Sequence, residues 1–112
     1  MKKSLIIFTF LLTFSYVSAQ ENRSADKRSS RAVALILSEM ELSDNQAQFL
    51  KKTLYTKYAE NSLKIKGKGL SQEEKKAVYK NAFITTRKIL REQFSEEDVK
   101  SIVKLERQSN KK

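Results

Sequence analysis

Over residues 42–66, LSDNQAQFLKKTLYTKYAENSLKIK, apolar positions recur at helical spacing across the longest uninterrupted stretch of the chain. At about 100° per residue, Ala47, Leu50, Leu54, Tyr58 and Ile65 fall within a stripe of roughly 80°, which predicts an amphipathic helix with one buried face. Ser43 stands where its hydroxyl can accept from a first-turn amide, and Gln46 can reach back to the cap's own amide, the two halves of a capping box. The helix, roughly 36 Å long, is expected to stop at Lys66-Gly67-Lys68-Gly69, because each glycine raises the cost of continuing by about 1 kcal/mol.

The same grammar recurs downstream. Leu70-Ser71-Gln72-Glu73-Glu74 sets a second capping box, with Ser71 as cap and Glu74 as the reciprocal partner. Phe94-Ser95-Glu96-Glu97-Asp98 is a third and weaker one, since the Asp98 side chain is short for the return bond. The helix from Ser71 to about Gln93 is expected to bury Val78, Tyr79, Ala82, Phe83, Ile89 and Leu90. A break at Phe94-Ser95 is then required, because an unbroken cylinder would turn Val99, Ile102 and Val103 about 160° away from that face.

Upstream, RAVALILSEM at residues 31–40 keeps helical spacing through Val33, Ile36, Leu37 and Met40, widened by Ala32 and Leu35. A short buried strand has the same composition, but nothing elsewhere offers it a strand partner, so helix is preferred. Ser29 or Ser30 is available as its cap. Residues 20–28 are polar without apolar period and read as a flexible lead, and residues 108–112 as a fraying tail. The fold class expected is all-α: a small four-helix layer over residues 29–107 with a long central antiparallel hairpin.

Composition changes the picture at the N-terminus. Lys2 and Lys3 precede an uncharged apolar run at residues 5–17 and the small-residue pattern Val17-Ser18-Ala19, the layout of a secretory signal peptide over residues 1–19. Removing it leaves 93 of the 112 residues, enough for one small domain. Without Lys2 and Lys3, 21 of the 23 basic residues face 13 acidic ones, a charge of +8. That surplus would point to nucleic acid in a cytoplasmic protein. For an exported one nucleic acid is not expected, and the acidic partners it points to are anionic envelope surfaces, lipid or polysaccharide, and other polypeptides.

Chemistry is sparse. The sequence has no histidine and no cysteine, which removes the usual general base, thiol nucleophile and zinc ligands, and no disulfide can form. Ser43, Ser71 and Ser95 read as caps rather than nucleophiles. Glu73-Glu74 and Glu96-Glu97-Asp98 sit in first helical turns, where the helix dipole stabilises negative charge. Met40 reads as core, and the KGKG loop lacks the spacing of a phosphate-binding loop. No enzyme, cofactor or metal is expected.

An export signal ahead of a small, cysteine-free, strongly charged helical domain, with Leu42-Ser43-Asp44-Asn45-Gln46 heading its long helix, resembles the Spy/CpxP family of periplasmic stress proteins. Their Leu-Thr-x-x-Gln motif occurs twice. The first copy is matched here with serine for threonine, and Phe94-Ser95-Glu96-Glu97-Asp98 stands in the place of the second, with phenylalanine for leucine and aspartate for glutamine. The resemblance implies a periplasmic, dimeric, cradle-shaped chaperone that holds unfolded clients without ATP.

The expected client-binding residues are a basic stripe of Lys76, Lys80, Ile84, Arg87 and Arg91 within about 80° on the helix from Ser71, helped by Lys52, Phe49 and Leu63. Phe49, Leu63, Tyr55 and Ile84, outside the main stripes, serve equally as a homodimer seam. Two other classes remain open: a regulatory protein docking on one acidic partner such as a stress-sensor domain, and a structural protein coating anionic envelope surfaces.

Overall fold

A computed structural model describes residues 22–111, within which four helices carry the regular structure. They are α1 (Arg23–Glu39), α2 (Asp44–Ile65), α3 (Gln72–Leu90) and α4 (Glu96–Ser109). The all-α class holds, as do the expected breaks at the glycine loop and at Phe94-Ser95. The signal segment at residues 1–19, the first two residues of the lead and Lys112 lie outside the described residues.

The capping chemistry behaves as the residue types dictate. Ser43 Oγ accepts from the Gln46 amide at 3.1 Å while Gln46 Oε1 accepts from the Ser43 amide at 3.1 Å. Ser71 and Glu74 repeat the pair at 3.1 and 2.8 Å. Ser95 accepts from the Asp98 amide at 3.1 Å without the reciprocal bond, consistent with the shorter side chain. Between α2 and α3, Gly67 and Gly69 take φ of +70° and +63°, a region that costs other L-residues energy.

Several boundaries and faces differ from the sequence expectation. Helix α1 starts at Arg23, so the segment read as a flexible lead is mostly helical. Its cap is Asn22, whose Oδ1 accepts from the Ala25 amide at 3.1 Å, and not Ser29 or Ser30. Ser29 instead lies mid-helix and fully buried, its hydroxyl donating to the Asp26 carbonyl at 3.0 Å. Ala25, Ser29, Ala32, Val33 and Ile36 form the buried face. Small side chains here let the neighbouring helices come close, a feature that an apolar-period search passes over. Leu37, expected inside, is exposed.

Helix α1 packs on both α2 and α4, and α3 packs chiefly on α2, so α2 is flanked by two helices. It therefore buries a wider arc than one stripe: Thr53, Ala59 and Asn61 join Leu50, Leu54 and Tyr58. Thr53 satisfies its hydroxyl on the Phe49 carbonyl at 2.8 Å. In α3 the buried residues are Thr86 and Leu90, whereas Tyr79, expected inside, is 54 % exposed.

The chain turns at residues 91–94, and Phe94 is buried with its ring centroid 6.3 Å from that of Phe49. Beyond the break, Val99 and Ile102 are fully buried, as the turn geometry required. Helix α4 runs past the expected end to Ser109. Both Ser109, buried, and Asn110, hydrogen-bonded to Tyr58 and to the Glu106 carbonyl, belong to the packed structure rather than to a frayed tail.

Candidate functional site

A groove of about 1000 Å³ opens where all four helices contribute side chains. Helix α1 brings Arg28, α2 brings Lys57, Tyr58 and Ile65, α3 brings Tyr79, Lys80 and Phe83, and α4 brings Glu106 and Arg107. Lys66 and Lys111 line it as well, so that among the described residues six cations face one carboxylate, Glu106.

That carboxylate is fully engaged at the wall. Tyr58 Oη donates to Glu106 Oε2 at 2.5 Å, and Lys57 Nζ reaches both carboxylate oxygens at 3.1 and 2.9 Å. Asn110 Nδ2 donates to Tyr58 Oη at 3.1 Å, and Arg28 Nε donates to Asn110 Oδ1 at 3.3 Å. The Arg28 guanidinium carbon sits 4.3 Å from the centroid of the Tyr58 ring, within cation–π range. Burial, and then the negative charge of Glu106 and the hydrogen bond to it, push the Tyr58 phenol well above its ordinary value. The network thus joins α1, α2 and α4 and fixes the wall. It consumes the groove's only negative charge and leaves Lys80 and Arg107 with no carboxylate at ion-pair distance among the described residues.

Phe83 forms the aromatic part of the α3 side. The guanidinium carbons of Arg87 and Arg107 lie 5.4 and 5.3 Å from its centroid, so residues of α3 and α4 converge on one ring. Tyr79, exposed, adds a second aromatic edge.

Of the eight residues expected to bind a client, the structure brings only Lys80 into this groove. Lys76 and Ile84 are exposed on α3 and lie elsewhere, as do Lys52 and Leu63 on α2. Phe49 is half-buried, packing on Phe94 and the core, and Tyr55 is likewise half-buried against the core. Arg91 binds Glu96 at 2.5 Å and Arg87 approaches the same carboxylate at 3.7 Å. The hydrogen bond from Arg91, above all, holds the Glu96 carboxyl below its ordinary range. The basic stripe of α3 is therefore divided, with its C-terminal end tied to the start of α4.

Arg28, Lys57, Tyr79, Phe83 and Arg107 escaped the sequence reading as site residues. Nothing local marks them, since each becomes part of a site only when four helix faces meet.

Among the described residues no group of three or more Asp, Glu, His or Cys side chains is placed to hold a metal ion, and no helix is long and apolar enough to cross a membrane. No protein-family model matches the chain, and no curated protein or solved structure is significantly similar to it.

Proposed function

We propose that this protein is an exported, ATP-independent chaperone-like binder that holds non-native polypeptide segments in the four-helix groove. The observation that carries the reading is the lining itself: six cations against one already neutralised carboxylate, interleaved with Tyr79, Phe83 and Ile65. Positive charge draws an acidic, unstructured chain in and raises its on-rate more than its final affinity, while aromatic and aliphatic surface holds it with little sequence demand. Capture that is quick and weak suits a holding protein that hydrolyses no nucleotide. The resemblance of Leu42-Ser43-Asp44-Asn45-Gln46 to the Spy/CpxP motif supports the same reading, and the signal-like residues 1–19 support export to a periplasm.

The test is aggregation of a chemically denatured reporter, with the wild type compared to Lys80→Glu/Arg107→Glu after circular dichroism has shown equal folding. Protection by the wild type that is lost in the variant, and that weakens as salt rises, is the expected result. Equal protection by both proteins overturns the groove assignment. Failure of both, together with capture of one stoichiometric acidic partner, overturns the chaperone reading in favour of the regulatory one.

Homodimerisation belongs to the same proposal. Leu37, Leu63, Tyr79 and Ile84 are large apolar side chains between 44 and 54 % exposed. Pairing would take such area out of water at about 25 cal/mol per Å² and build the cradle that the family resemblance implies. Light scattering at tens of micromolar should give the dimer mass, and a monomer mass would remove the cradle.

A further inference from the structure

Helices α3 and α4 follow one another in the chain yet barely touch, and the cleft between them forms a second cavity of about 470 Å³. It shares Phe83, Arg107 and Lys111 with the large groove and adds Arg87, Lys100 and Lys104. Among the described residues five cations line it, and no carboxylate does.

The local charge is poorly compensated. Among the described residues, Arg87 is the one member of the five with an ion pair, and its partner Glu96 is already taken at shorter range by Arg91. The Nε of Arg87 is buried without a hydrogen-bond partner. Phe83 holds the Arg87 and Arg107 guanidiniums on one ring, so neither moves away from the other without giving up that contact. Like charges gathered in this way destabilise the compact state, and a ligand that neutralises them stabilises it.

The lining also specifies the ligand. A guanidinium presents paired donors that match a tetrahedral oxyanion, and lysines add point charges around it. Acidic side chains along a peptide bring their charges one at a time, separated by backbone, and cannot concentrate several in so small a space. We propose that the α3–α4 cleft is a binding site for a small soluble anion with linked phosphate groups, an oligophosphate. The proposal rests on this cleft's own charges and stands or falls separately from polypeptide holding.

The test uses the full mature chain and inorganic tripolyphosphate, followed by titration calorimetry and thermal unfolding, with orthophosphate and sodium chloride at matched ionic strength as comparators. Tripolyphosphate should bind with one-to-one stoichiometry, raise the Tm beyond the salt control and bind about tenfold or more tightly than orthophosphate. Lys100→Gln/Lys104→Gln, at two exposed positions where folding is not at stake, should weaken it by about tenfold, the scale of losing charged hydrogen bonds, and Arg107→Gln should do the same. Lys64→Gln, at an exposed position outside the cleft, should leave binding unchanged. An equal Tm rise with sodium chloride, or unaltered affinity in the cleft variants, overturns the site. Binding to phosphatidic acid vesicles that tripolyphosphate neither reproduces nor competes with overturns the soluble ligand in favour of a lipid surface.

Discussion

The Tyr58 phenol of α2 donates a 2.5 Å hydrogen bond to the Glu106 carboxylate of α4, across 48 positions of sequence. Tyr58 is only 4 % and Glu106 only 5 % exposed, and Lys57 neutralises the carboxylate from a side chain 15 % exposed. A buried charge left without its partners is costly, so this bond and its neighbours fix how α4 sits against α2.

Tyr58→Phe removes the hydroxyl while keeping the ring under Arg28. It takes one donor from the Glu106 carboxylate and one of the two acceptors of the Asn110 amide, and should cost about 1–3 kcal/mol in urea denaturation.

The same phenol makes stability depend on alkaline pH. Its folded pKa is raised above the unfolded value of 10.0, so the folded state keeps the proton that the unfolded state releases. The contribution is complete below pH 10 and is lost progressively as pH rises above it. Wild-type stability should therefore fall as pH rises above about 10, the ordinary tyrosine pKa, and Tyr58→Phe should show a shallower fall. Parallel curves would mean that the phenol titrates freely in the folded protein.

Phe94 stands in the turn between α3 and α4, 6 % exposed, and packs on Phe49. Phe94→Ala should cost about 3–5 kcal/mol, whereas Phe94→Leu, which puts there the residue type that precedes the caps Ser43 and Ser71, should cost less because it refills part of the cavity. Thermal unfolding of the pair distinguishes a packing role from a purely local turn role, in which both would lose little.

Ser43→Ala should cost about 1 kcal/mol, because the Gln46 amide loses its acceptor at an exposed helix start. Gly67→Ala should also destabilise, by about 1 kcal/mol, although an added Cβ would meet no atom within 4 Å. The penalty is conformational, since φ is +70° there. Hydrogen exchange should meanwhile show the amides of residues 67–70 opening faster than those of α2, and unbroken protection across the loop would contradict the turn.

Helix starts and stops were legible because they are local. Ser43, Ser71 and Ser95 bond to amides three residues away, and two glycines end α2 by backbone freedom alone, so a few neighbouring residues decide each boundary. The start of α1 was missed because Ala25 and Ser29 are too small to register in an apolar period, yet their smallness is what lets α1 fit closely between α2 and α4. The burial of Ala59 and the exposure of Tyr79 and Leu37 depend on how many helices flank a given face, and no spacing within one helix encodes that number. The groove lies at the far end of this scale. Arg28, Tyr58, Lys80 and Arg107 stand on four different helices, and their shared field exists only after packing has brought those faces together. The sequence by itself determined an all-helical chain, its breaks, its caps and its excess of positive charge, since these follow from short-range bonds and counting. The tertiary structure alone decided which cations are spent on Glu106 and Glu96 and which remain open, because ion pairing and burial are properties of distances between helices.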